Sequence, residues 1–458
     1  MNTRTCLRVA LVLAFAPTMV SAQSDGPVAR QYKTVADRII DGAAADSGAA
    51  WNKLARFTDY SGSRLSGSAA LEHGIDWLLA EMQKDGLDNV HSEPAMIPHW
   101  VRGAESATLI QPRLSKLPML GLGNSIGTPR GGITAEVLVV NDFADLKAHA
   151  AEAKGKIVLF DVPFTTYGAT VRYRGTGAVE AAKVGAVAML IRSVTPYSMR
   201  TPHTGAMNYD STVKKIPNAA ITVEDAMMLH RMQGRGEKIV VKLEMRAETL
   251  PDVPSRNVIG ELRGSEKPDE VVVFGGHIDS WDVGQGAMDD GGGVVVAWEA
   301  IRLMKKLGLT PKRTIRVVGW VDEENGSRGA AAYRDAHKAE ADKHSLVIES
   351  DGGVFNPESY GFTGSDSARA IIQQIAGLAA RAGIKNVAAS GGGADIGPMM
   401  GLGVPGVGFE VERSRYFWFH HTDADTVDKL DPAEMQRCVA AMALLAYIVA
   451  DLPNRLPR

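Results

Sequence analysis

Alternating strand and helix patterns predict an α/β protein: a mostly parallel mixed sheet flanked by helices, with an inserted β-rich domain. Three observations lead there. From Asn257 onward, short continuous apolar runs alternate with helical segments. The middle third instead carries a series of short β-rich runs. Before them, residues 31–96 place apolar side chains at three- and four-residue spacing, the mark of helices.

The chain opens with an export pattern. Arg4 and Arg8 flank the start, an apolar stretch runs from Val9 to Ala16, and Val20-Ser21-Ala22 fits a small-residue cleavage site. Residues 1–22 thus read as a signal peptide cut after Ala22, and the protein as secreted or periplasmic. That stretch is shorter than the ~20 residues of a membrane span, and no other segment reads as one. Val35–Leu54 and Ser68–Lys84 read as helices, so 23–110 is assigned to an N-terminal helical part of the main domain. The β-rich runs Glu136–Val140, Lys156–Val162, Ala186–Ile191, Ala219–Thr222 and Ile239–Leu243 define an insert over 111–250. Between them lie loops such as Thr165–Gly177, and one helix is expected at Gly177–Val184.

Over 251–458 the alternation becomes regular. Val271–Gly275 is a continuous apolar run, as in a strand buried on both faces. Strands are expected again at Thr314–Val321, Leu346–Glu349 and Val404–Phe409, with helices at Gly293–Leu307, Ser327–His337 and Ala368–Arg381. The last helix has Asp431 as cap, Pro432 at its first position and Glu434 completing a capping box.

Composition narrows the function. With 50 basic against 53 acidic side chains the formal charge is −3. No long Lys/Arg run offsets that balance, which argues against nucleic acid or anionic membrane as partner. Cys6 falls in the predicted signal, so Cys438 is alone in the mature chain and no internal disulfide can form. Cys438 sits in an apolar helical pattern and reads as a core thiol.

In such sheets ligands bind beyond the carboxyl ends of the strands. Metal-capable side chains collect there: Gly276-His277-Ile278-Asp279, then Met288-Asp289-Asp290-Gly291, Asp322-Glu323-Glu324, Glu349-Ser350-Asp351-Gly352, and His420-His421-Thr422-Asp423-Ala424-Asp425. Singly each has a plain explanation. Asp290 makes a good helix cap before Gly291, and Asp425-Thr426 a turn. Together, four separate strand ends supplying oxygen or imidazole donors point to a metal site. Asn325-Gly326-Ser327 matches a glycosylation sequon but directly follows the acidic pair, and reads as turn chemistry.

His277-Ile278-Asp279, Met288-Asp289-Asp290, Glu323-Glu324, Ser350-Asp351 and His421-Thr422 resemble the co-catalytic zinc exopeptidases of the aminopeptidase Y family. The middle third is similar to the protease-associated insert of these enzymes, through Gly155-Lys156-Ile157-Val158, the Ala181–Ile191 stretch and Ile216-Pro217-Asn218-Ala219-Ala220-Ile221-Thr222. The resemblance implies the zinc exopeptidase fold and two Zn²⁺ per chain. His277 and Asp351 would hold one zinc, Glu324 and His421 the other, and Asp289 would bridge them. Asp279 would bind the far nitrogen of His277, Glu323 would be the general base, and Tyr416 would donate to the oxyanion. The Asp289–Asp290 bond would be cis. Asp395, behind Gly391-Gly392-Gly393, is a candidate for the substrate's α-amino group, or else a helix cap.

These assignments imply hydrolysis of dipeptides or short peptides with unblocked termini, by a hydroxide shared between the metals with Glu323 as proton carrier. An aminopeptidase acting on longer peptides is the alternative. A non-catalytic binding protein like the transferrin-receptor ectodomain, and a single-zinc glutaminyl cyclase relative, are the other readings. The family also implies a homodimer.

Overall fold

The computed structural model describes residues 26–458; the predicted signal peptide and Cys6 lie outside the described residues. The apolar run around Val271–Gly275 belongs to the strand Lys267–His277, which sits inside an eight-stranded sheet. The order is Asp88–Val101, Glu248–Leu262, Arg313–Trp320, Lys267–His277, His344–Glu349, Gly406–Val411, Pro357–Thr363, Asn386–Ala388. The four middle strands run parallel. Antiparallel pairings join Asp88–Val101, Glu248–Leu262 and Pro357–Thr363 to them, and Asn386–Ala388 adds a short parallel edge.

Successive side chains of a strand face opposite sides, and both sides of this one are covered. Val272 and Phe274 pack into a large core with the helices Pro27–Ala45, Ala49–Ser61, Ala69–Lys84, Gly292–Lys306, Asp366–Leu378 and Pro432–Asp451. Val271 and Val273 face a smaller core capped by Tyr333 of Arg328–His337. Helix Pro432–Asp451 also has the length and apolarity of a membrane span, a feature the sequence reading passed over. Here it lies buried along most of its length. Asp431 accepts from the N–H groups of Ala433 and Glu434 at 2.7 and 3.0 Å. The Glu434 carboxylate pairs with Arg415 and Asn356, so only half of the expected capping box forms.

The chain leaves this sheet after Val101 and returns at Glu248. Between lies a second sheet, ordered Ser115–Leu117, Glu105–Gln111, Val240–Met245, Ile133–Val140, Ile157–Phe160, Ala188–Arg192, Asn218–Ile221, Met119–Gly121. Helix Val223–Gly234 covers one face and Tyr167–Lys183 the other. This part is therefore itself α/β, and its strands begin at Glu105 rather than 111.

Other departures from the sequence reading have local causes. Residues 88–96 form strand, not helix, because Asp88–Val101 pairs with Glu248–Leu262, a tertiary contact that spacing cannot show. The expected helix Val35–Leu54 breaks at Gly48, whose φ of 83° is left-handed. The expected loop Thr165–Gly177 is mostly helix, capped by Thr166; its glycines, which read as loop, include Gly177, where an added Cβ would sit 3.1 Å from the Phe160 ring.

Close approach also governs the central strand. A Cβ at Gly275 would lie 1.8 Å from the Val318 carbonyl oxygen of the neighbouring strand. Gly275→Ala is expected to destabilise by at least the ~1–3 kcal/mol of overpacking, read as a lowered midpoint of thermal unfolding.

Candidate active site

The donors named from the sequence meet at one sheet edge. His277 ends one strand, Asp322-Glu323-Glu324 follows Arg313–Trp320, Asp351 follows His344–Glu349, and Asp289 precedes the helix Gly292–Lys306. His421 comes from the loop after Tyr416–Phe419. His277 Nε2 stands 3.3 Å from Asp289 Oδ1 and 3.5 Å from Asp351 Oδ1. On the other side His421 Nε2 stands 3.2 Å from Asp289 Oδ2 and 3.1 Å from Glu324 Oε2. Asp289 thus turns one oxygen to each imidazole.

His277 Nε2, Asp289 Oδ2 and Glu324 Oε1 are buried without a hydrogen-bond partner. Such groups are costly unless something else satisfies them. Three donor sets also converge closely enough to share an ion: His277 with Asp289 and Glu324, His277 with Asp290 and Asp351, and Asp289 with His420 and His421. Imidazole and carboxylate suit zinc. On both counts the residues fit the metals that the family resemblance implies.

Burial favours neutral carboxyls, and here it acts on several at once. It pushes Glu323 well above the usual carboxylate range, with Asp351 and Glu324 adding to the effect. Burial alone would keep His277 and His421 neutral, but the facing carboxylates hold both well above the ordinary imidazole range. Bound cations would reverse that preference.

The supporting contacts are largely main-chain. His277 Nδ1 bonds to the Asp279 carbonyl oxygen at 2.9 Å, while the Asp279 carboxylate stays 3.7 Å away. Asp279 thus reaches the far nitrogen of His277 through its carbonyl, and its carboxylate is taken by the N–H groups of Glu323 and Glu324 at 3.2 and 3.3 Å. Asp290 accepts from Gly293 N–H, as a cap should, and also from His277 N–H, both at 3.1 Å. The Asp289–Asp290 bond is cis. Asp425 accepts from the N–H groups of Met288 and Asp289 at 2.7 and 3.2 Å, and burial beside Asp289 raises it to about 7. His421 itself holds a left-handed φ of 62°. Asn325-Gly326-Ser327 forms a turn, closed by Gly326 N–H on the Glu323 carbonyl at 3.3 Å.

A cleft of about 340 Å³ opens over these groups, lined by Glu323, Asp351, Tyr416, His420 and, from the second sheet's side, Tyr167 and Arg174. Tyr416 faces it, its phenol pushed up by burial and nearby carboxylates. His420 was not singled out by sequence; its ring stacks 3.5 Å from that of His421. Asp395 is not where the sequence reading put it. It is 1% exposed and absent from the cleft lining. The short helix Gly397–Met400 is preceded by Ile396, so Asp395 is not its cap either. Its N–H donates to Glu349 Oε2 at 2.9 Å.

The family model described as peptidase family M28 matches residues 257–446, which hold every donor above. Carboxypeptidase Q of Mus musculus is 50% identical over 93% of this chain and 91% of its own. The chain belongs to peptidase family M28. A crystal structure of the peptidase M28 precursor from Shewanella amazonensis SB2B superposes with a TM-score of 0.90 at 35% identity, covering 94% of this chain and 99% of that one. The zinc aminopeptidase of Bacillus subtilis shares the fold at 21% identity, with a TM-score of 0.64 over 86% of this chain and 93% of that one. The chain is accordingly a zinc metallopeptidase of the M28 family.

One buried cation shapes the loop of this M28 peptidase between His277 and Asp289. Arg64, fully buried, donates to the carbonyls of Ile278, Gln285 and Gly286 at 2.6, 2.6 and 2.8 Å. Nothing in its sequence neighbourhood announces that role. Each buried acceptor left unpaired costs ~1–3 kcal/mol. Arg64→Met is therefore expected to lower both the unfolding midpoint and the peptidase activity, the latter ~10-fold or more, measured on one preparation.

Proposed function

We propose that this chain is an exported dizinc exopeptidase that hydrolyses dipeptides or short peptides with free termini. The observation that carries the reading is Asp289, whose two oxygens face His277 and His421 at 3.3 and 3.2 Å. One carboxylate so placed can be shared by two cations. In this reading His277 and Asp351 hold one zinc, Glu324 and His421 the other. The bound pair would supply Lewis acidity and lower the pKa of an attacking water.

The chain's own residues do the rest. Glu323 adjoins Glu324 but extends toward the cleft, and takes the water's proton and returns it to the leaving amine. Tyr416, kept protonated by its surroundings, donates a hydrogen bond to the developing oxyanion. Asp279 positions both halves, through its carbonyl on His277 and its carboxylate on the Glu323 and Glu324 amides. The carboxypeptidase Q relatives support the same reading. The N-terminal export pattern supports secretion or a periplasmic home.

Glu323→Gln is expected to cut kcat at least ~10³-fold while metal content stays at the wild-type level; retention of more than a few per cent of activity removes Glu323 as base. Exhaustive chelation should abolish turnover, and two equivalents of zinc per chain should restore it. Dipeptides should be cleaved in preference to aminoacyl anilides and N-blocked peptides. The opposite preference would favour an aminopeptidase.

A further inference from the structure

We infer that the inserted sheet supports one of the two metal positions, that of Glu324 and His421, and leaves the other to the peptidase part alone; the inference rests on the two-metal reading above. Both ligands of that position lean on one ledge. Gly123 donates to the Gly205 carbonyl at 3.0 Å and accepts from Met207 N–H at 3.1 Å, joining segments 121–123 and 203–207 of the insert. Thr204 Oγ1 donates to the Gly121 carbonyl at 2.8 Å and closes the same ledge.

His421 rests on one half of it. Thr204 N–H donates to the His421 carbonyl at 3.0 Å, and His421 Nδ1 lies 3.3 Å from the Thr204 carbonyl oxygen. An imidazole whose Nδ1–H is taken by a carbonyl presents a lone pair at Nε2, the tautomer a metal needs. Glu324 rests on the other half through Trp281, whose indole N–H donates to Glu324 Oε2 at 2.6 Å and leaves Oε1 free. The edge of the Trp281 six-membered ring abuts Gly123, where an added Cβ would sit 2.0 Å from it. Arg102 locks the same loop, pairing with Asp282 at 2.5 Å and with Thr204 Oγ1 at 3.3 Å.

His277 is held differently. Its contacts are the Asp279 carbonyl and the Asp290 carboxylate, both within the peptidase part, and Asp351 directly follows a central strand. Trp281, Thr204 and Gly123 are thus positioning residues for one metal only.

The test counts zinc per chain by elemental analysis after equilibration with graded chelator, on wild type, Gly123→Ala, Trp281→Phe and the control Gly234→Ala, whose added Cβ meets nothing within 4 Å. Wild type and control should hold two equivalents. In Gly123→Ala and Trp281→Phe one equivalent should weaken ~10–100-fold, as loss of a ligand's supporting contact does, while the other moves less than about threefold; the retained equivalent also reports a folded peptidase part. Equal weakening of both equivalents, or no change in either variant, overturns the inference. A wild type that holds a single equivalent overturns the two-metal reading itself.

Discussion

Carboxylates repel, and this site buries too many of them to stand alone. Asp289, Glu323, Glu324 and Asp351 line one cleft, the first and third of them largely buried, and Asp279 and Asp290 lie just behind. Two unit charges 4 Å apart differ by about 4 kcal/mol at an effective dielectric of 20. Without countercharge, burial drives Glu323 and Asp290 upward, and the facing carboxylates hold both histidines above the ordinary imidazole range. In the two-metal reading, two divalent cations against the three ligand carboxylates Asp289, Glu324 and Asp351 would leave one positive charge, favouring ionised carboxylates and neutral, metal-binding imidazoles. The rest of the architecture makes sense as the means of holding that arrangement before the cations arrive.

The means is a division of labour among the acids. Those behind the site are satisfied by main-chain amides: Asp279 by Glu323 and Glu324, Asp425 by Met288 and Asp289, Asp290 by His277 and Gly293, and Glu349 by Asp395 and Ile396. Each of these bonds ties a loop to its neighbour without spending a side chain on it. The acids in front are left with an open oxygen. Glycines admit the close packing, as at Gly276, where a Cβ would sit 1.9 Å from Asp290 Oδ2.

Much of this was legible in the sequence because strand ends are short and local. The runs that formed the parallel strands kept their apolar character, and His277, Glu324 and Asp351 sat within a few residues of where each run stopped. Asp289 and His421, farther from any strand end, entered the expected ligand set through the family resemblance. What could not be read depended on distant partners. Strand Asp88–Val101 is specified by pairing with residues some 160 positions on, and Arg64 by carbonyls more than 200 residues away. Asp279 was expected at the far nitrogen of His277, but spacing says nothing about whether its carbonyl or its carboxylate faces the ring; the carbonyl does. Asp395 followed a glycine run that suggested an open loop, yet Gly393 packs onto the Glu349 carboxylate and draws Asp395 inside.

The position of the insert has a further consequence for assembly. It interrupts the chain between Val101 and Glu248, which pair as the last rung of an antiparallel ribbon. The ribbon can therefore close only around an insert whose ends are already near each other. His421 meets Thr204 across 217 residues of sequence, and that contact needs the ribbon, the insert and the C-terminal loop all in place. Contacts of such separation form late, because loop closure must precede them. His277 and Asp351, by contrast, sit on strands that pair directly through the sheet. On that count the side of the site built on the sheet is expected to assemble before the side that leans on the insert.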